Sequence, residues 1–128
     1  MQAVTHHQFL KMKLIKSFGY ALQGVLYCLK TQLNFRIHML ATVAVTVAGV
    51  IFNISKTEWL FIAVCCAAVI ATEMINTAIE KLCDMVSTEI HPVIKIIKDV
   101  SAGAVLVCAI GSVVVGSIIF LPKIIELI

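Results

Sequence analysis

WLFIAVCCAAVIATEMINTAIEKLCD, residues 59–84, begins as an apolar run fit for a membrane and then acquires Glu73, Asn76, Glu80 and Asp84. A helix turns once every ~3.6 residues, so spacings of three, four and four set these side chains in one stripe. A carboxylate inside a membrane helix costs at least about 2.5 kcal/mol on insertion scales, so such a residue turns to a protein interior and marks function. The stretch therefore predicts a spanning helix whose second half carries an active or transport site.

Composition agrees: 61% of the 128 residues are hydrophobic and the mean hydropathy is +1.06. An integral membrane protein is expected. A net charge of only +3 argues against nucleic acid as a partner. Cys28, Cys65, Cys66, Cys83 and Cys108 lie mostly in apolar runs, without zinc-site spacing or a disulfide pattern. They read as small buried hydrophobes.

Before this stretch, residues 1–8 are polar, lack the apolar core of a signal peptide, and are expected to form a loose end. From 9 to 31, Phe9, Leu10, Leu14, Ile15, Phe18, Leu22, Val25, Leu26 and Leu29 recur near helical spacing while Lys16, Gln23 and Lys30 share one edge. That pattern predicts an amphipathic basic helix lying along an anionic leaflet, as a surface anchor or a substrate gate. QLNFRIH, 32–38, reads as a polar hinge, 37–54 as a first span and NISKTE, 53–58, as an outer turn. The second span is 59–82, with Trp59 as an interfacial aromatic. STEIHPVIKIIK, 87–98, reads as a loop in which Pro92 breaks the helix at or before His91, and 100–122 as a third, charge-free span ending in Pro122.

The expected fold is all-α, three transmembrane helices plus an N-terminal surface helix, forming a single domain over 1–128. Lys11, Lys13, Lys16, Lys30 and Arg36 precede the first span, and Lys81, Lys95 and Lys98 flank the second loop; only Lys56 and Lys123 fall on the other side. The positive-inside bias then puts the N-terminus in the cytoplasm and the C-terminus outside. Gln32, Asn34, Arg36, His38, the stripe on 76–84 and residues 89–99 collect at the cytoplasmic interface.

No GxxxxGK stretch is present, which excludes an ordinary P-loop, and four histidines support no Ser/His/Asp arrangement. Glu80 and Asp84 suit Mg²⁺, commonly held by one or two carboxylates plus substrate phosphates, and Lys95 and Lys98 could meet those phosphates. Glu73 lies about 10 Å deeper at helical rise, in low-dielectric surroundings where it can act as a proton acceptor for a lipid hydroxyl. A water-soluble phosphate donor above a carboxylate base makes a coherent phosphoryl-transfer site.

ATEMINTAIEKLCD followed by HPVIKIIKDVSAGAVL, with SFGYALQG (17–24) and NFRIH (34–38) ahead of them, resembles the prokaryotic diacylglycerol kinase and undecaprenol kinase family. The resemblance covers most of the chain, and the combination of E-x-x-N-T-A-I-E-x-x-x-D with K-D-x-x-A-G-A-V-L is specific. It implies a homotrimer in the bacterial cytoplasmic membrane that uses ATP and Mg²⁺ to phosphorylate a lipid alcohol, at active sites formed between subunits. By this resemblance Glu73 is the catalytic base and Asn76 lies beside it with the substrate. Glu80 binds metal, and Tyr20, Glu89, Ile90, His91, Lys98 and Asp99 match nucleotide-contacting positions. Lys13 takes a place often held by a basic residue near nucleotide and substrate. Gln32 stands where the family commonly has a second metal-binding Glu, keeping an oxygen ligand but losing its charge. NFRIH and HPVIKIIKDVSAGAVL look more like the undecaprenol kinase branch.

Two other classes fit parts of the sequence. A proton-coupled transporter would use one membrane carboxylate but has no need of Glu89, His91, Lys98 and Asp99 together. A non-catalytic oligomeric membrane protein derived from a kinase would account for Gln32. Structural readings also stand beside the functional ones: Asn76 as a hydrogen-bonding link between helices, His38 as a capping or packing residue, Lys98 and Asp99 as a surface ion pair, and Ser112 with Gly116 as a close-packing pair.

Overall fold

The computed structural model describes residues 6–128 and is all-helical, with α1 (His6–Thr31), α2 (Leu33–Ile51), α3 (Lys56–Val86) and α4 (Pro92–Ile125). Of the expected loose end, residues 6–8 are already helical and 1–5 lie outside the described residues. The expected hinge at 32–38 shrinks to one residue. Gln32 is extended (φ −108°, ψ 112°), yet its N–H donates to the Cys28 carbonyl at 2.8 Å and its carbonyl accepts from the Arg36 N–H at 3.2 Å. Hydrogen bonding thus crosses the break, and NFRIH becomes the first turns of α2.

Between α2 and α3 the chain reverses in four residues. Asn53 adopts φ 49°, a left-handed conformation that Asn tolerates better than most residues. The Ile54 N–H then reaches the Gly49 carbonyl at 3.1 Å and the Asn53 N–H the Val50 carbonyl at 3.2 Å, the paired bonds of a Schellman cap. α3 starts at once with a capping box: the Glu58 N–H donates to Ser55 Oγ (3.2 Å) and the Ser55 N–H to Glu58 Oε2 (2.7 Å). Glu58 also pairs with Lys123 of α4 at 3.2 Å, tying this end of the bundle.

At the opposite end the loop runs only over 87–91. Pro92 does not merely stop a helix; it opens α4 at a position where its missing N–H has no helical partner to lose, and His91 caps the turn by accepting the Val93 N–H on Nδ1 at 3.2 Å. Lys95 and Lys98 therefore sit on a helix, with Asp99, rather than in the expected loop. α4 also continues through Pro122 to Ile125, where the Glu126 N–H reaches the Pro122 carbonyl at 3.1 Å.

α3 is the centre of the bundle, packing most extensively on α4, less on α2 and least on α1. Ile54, Ile62 and Ile119 form a buried cluster under the α2–α3 turn, flanked by Trp59, Val45 and Val115 and by the edge-on rings of Phe52 and Phe120. Towards the other end Phe35 is fully buried. Much of the remaining apolar surface faces outward: the chain exposes 9774 Å², against about 6,700 Å² for a compact soluble chain of 13.9 kDa. α2, α3 and α4 are each long and apolar enough to cross a membrane. At ~1.5 Å per residue α3 is about 46 Å long, more than the ~30 Å of hydrocarbon, so its ends reach into the polar layers.

Candidate functional site

The polar stripe of α3 turns inward. Glu73 (4% exposed), Thr77 and Asn76 are buried in an otherwise apolar bundle, and the Thr77 hydroxyl donates to the Glu73 carbonyl at 3.0 Å, leaving the carboxylate free of it. That carboxylate meets α2: Glu73 Oε1 lies 3.3 Å from His38 Nε2. One turn further along, Asn76 Nδ2 donates to Glu80 Oε1 at 3.3 Å, as residues four apart on one helix face can. Asn76 Oδ1 is buried without a partner among the described residues. A buried carboxylate, an amide and a second, more accessible carboxylate are thus strung along one line towards the α3–α4 loop.

Around that loop a cavity of about 390 Å³ gathers Glu89, Ile90, His91, Lys98 and Asp99, together with Asp84, Ser87, Thr88, Ile94 and Lys95. Lys98 Nζ donates to Asp84 Oδ1 across the helix pair at 2.6 Å, while Asp99 pairs with Lys95. The Lys98–Asp99 ion pair of the alternative structural reading does not form, because adjacent helical residues point apart and those four apart face each other. Lys13 and Tyr20 are exposed on α1 and do not line this cavity. Gln32 lies at the α1–α2 break, where Nε2 donates to Thr31 Oγ1 at 3.1 Å and leaves the amide oxygen as an acceptor.

Residues 19–120 match the family described as prokaryotic diacylglycerol kinase. The chain belongs to that family. Within it, this kinase homologue is 38% identical over 111 residues to the undecaprenol kinase of Bacillus subtilis, across 87% of this chain and 90% of that one. It is 40% identical over 115 residues to a diacylglycerol kinase of Synechocystis, across 89% of this chain and 66% of that protein. With a diacylglycerol kinase of Pseudomonas aeruginosa it shares 36% over 93 residues. Family and three apolar helices together make it a multi-pass membrane protein.

No group of three or more His, Cys, Asp or Glu side chains converges among the described residues of this family member. A divalent cation would therefore find no all-protein cage. The donors present suit Mg²⁺ in another way: among the described residues Glu80 is held by the Asn76 amide on one oxygen only, and Mg²⁺ is commonly bound through one or two carboxylates with phosphates completing the shell.

Sequence reading missed two features. His38, read as a capping or packing residue, is the side chain that meets Glu73; a contact between residues 35 apart leaves no mark in local spacing. Gly116 brings no helix close among the described residues of this chain, since a Cβ there would meet no atom within 4 Å. Ser112 and Gly116 both line an apolar groove of about 440 Å³ between α2, α3 and α4, with His38 on its wall.

Proposed function

We propose that this lipid kinase phosphorylates undecaprenol or diacylglycerol from ATP, with Glu73 as general base. The observation that carries the reading is the line of polar groups on α3, from a buried Glu73 in apolar surroundings through Asn76 to Glu80 beside the α3–α4 loop. A lipid alcohol arrives through hydrocarbon and a nucleotide through water, so the acceptor of the hydroxyl proton belongs on the apolar side and the phosphate-binding groups on the wet side. Asn76 orients the hydroxyl. Glu89, Ile90, His91, Lys98 and Asp99, at the loop cavity, meet the nucleotide, where Lys98 offers a cation to phosphate if it leaves Asp84. Glu80 and Gln32 would hold Mg²⁺, which when bound neutralises phosphate charge and orients the transferred group.

The functional unit proposed is a homotrimer of one-domain subunits in the bacterial cytoplasmic membrane, N-terminus in the cytoplasm and C-terminus outside. α1 lies on the inner leaflet, and Lys13 and Tyr20 serve sites formed between subunits. The outward-facing apolar surface supports burial in lipid and in such contacts. Undecaprenol is the favoured acceptor, supported by the nearly full-length match to the Bacillus protein.

The test is ATP consumption by the purified protein with Mg²⁺, offered undecaprenol and diacylglycerol separately, beside Glu73→Gln. Turnover that depends on lipid and falls about 10²–10⁴-fold in the variant, the usual contribution of a general base, is the expected result. Full activity of Glu73→Gln would remove Glu73 from the chemistry, and no turnover with either lipid would refute the kinase reading.

A further inference from the structure

Phosphorylating an alcohol with ATP releases a proton at each turnover, and the base assigned above is poorly placed to return it to water. The Glu73 side chain is only 5% exposed, and the partner it meets, His38, is 26% exposed with Nε2 at 3.3 Å. Among the described residues no other side chain pairs with the Glu73 carboxylate. The other charged group bearing on it is Glu80, two turns along α3, and Glu80 is engaged by Asn76. An imidazole can take up and give up a proton near neutral pH, through either of two nitrogens.

We infer that His38 positions Glu73 and relays its proton from the buried carboxylate to water. This rests on the reading of Glu73 as base. In the transfer step the lipid O–H bond breaks and its oxygen bonds the γ-phosphorus. The bond from that phosphorus to the bridging oxygen breaks, its electron pair leaving with ADP, and the hydroxyl proton passes to the Glu73 carboxylate. Glu73 then hands the proton to an imidazole unprotonated at Nε2, and the imidazolium loses a proton to water, from Nε2 directly or from Nδ1 followed by tautomer exchange through water, which restores the carboxylate and the accepting tautomer. His38 touches no reacting atom. Its effect falls on the rate at which Glu73 becomes a carboxylate again.

The experiment compares the full-length protein, reconstituted with its preferred lipid alcohol and MgATP, with His38→Ala, His38→Gln and Glu73→Gln, each with and without added imidazole. His38→Ala and His38→Gln are expected to lose kcat by on the order of tenfold or more while the KM for ATP moves less than about twofold. Imidazole in solution is expected to restore part of kcat, saturably, in His38→Ala and not in Glu73→Gln. Glutamine keeps a hydrogen-bond donor near Glu73 but carries no proton, so wild-type turnover in His38→Gln would overturn the relay. So would wild-type turnover in His38→Ala, or a loss that imidazole does not relieve in a variant whose unfolding midpoint is unchanged. If His38→Ala does not fold, His38→Gln decides alone. Should Glu73→Gln keep full activity, the base assignment fails and the relay falls with it, a result separable from failure of His38 alone.

Discussion

Replacing Gly49 by alanine tests the turn that sets α2 against α3. A Cβ at this position would lie 2.7 Å from Trp59 Cη2, 2.9 Å from Cζ2 and 3.0 Å from Ile54 Cδ1. Carbon atoms are best placed ~3.5–4.0 Å apart, so the overlap with the indole is about 0.8 Å even at the near limit. The Ile54 methyl can swing aside. The Trp59 ring is flat and rigid and packs against the isoleucine cluster under the turn, so the backbone must yield instead. Overpacking of this kind costs about 1–3 kcal/mol, whereas Gly→Ala within a helix gains about 1 kcal/mol of propensity. A net loss of up to about 2 kcal/mol is expected from the two. The clash vanishes when Trp59 is cut to leucine, so in a Trp59→Leu background Gly49→Ala should turn stabilising by up to about 1 kcal/mol. Equilibrium unfolding of the four proteins in mixed micelles measures this cycle. Equal effects of Gly49→Ala in both backgrounds, or stabilisation of the otherwise wild-type chain, would refute the close approach.

Phe35→Ala removes a ring with no exposed surface and is expected to lower stability by about 3–5 kcal/mol in the same unfolding assay; a loss below about 1 kcal/mol would mean that the site collapses around the gap. Gln32→Glu restores a full charge to the proposed metal position, so the Mg²⁺ concentration giving half-maximal lipid-dependent ATP consumption should fall several-fold. An unchanged Mg²⁺ dependence would take residue 32 out of the metal shell.

The all-helical fold and its three apolar helices were legible because a bilayer enforces long apolar segments and makes every intramembrane polar residue conspicuous. The stripe from Glu73 to Asp84 stands out for the same reason. Helix ends were harder, since the same residue can stop one helix or start another. Pro92 disfavours a helix before it and suits the first turn of the helix after it; pattern alone kept the first meaning and lost the second. The polar letters of NFRIH suggested a hinge, but its Phe35 is the fully buried side chain near that end, and burial there carries α2 back to Leu33. Side-chain partners between helices were not legible. Lys98 could be matched with Asp99 by proximity in sequence, while its partner Asp84 lies 14 residues earlier, and nothing local joins His38 to Glu73.

Two glutamates on one face of one helix end up in different chemical settings, and the seven residues between them account for it. At ~1.5 Å per residue they stand about 10 Å apart along α3. That distance carries the chain from a buried position beside an imidazole to a partly exposed one beside an amide. A carboxylate that accepts a proton from a lipid hydroxyl must be reachable from hydrocarbon and shielded from bulk water. One that shares a divalent cation with phosphates must be reachable from water and keep an oxygen free. Burial in the apolar bundle gives Glu73 the shielding that the first role needs, and Glu80 is partly exposed with Asn76 on Oε1, which leaves Oε2 for the second. Exchanging the two roles would ask a highly charged nucleotide to enter the apolar bundle and the lipid hydroxyl to leave it, each against its own solvation. The order of groups on α3 follows the order in which the two substrates meet the membrane, which supports the proposed division of labour more strongly than either residue does alone.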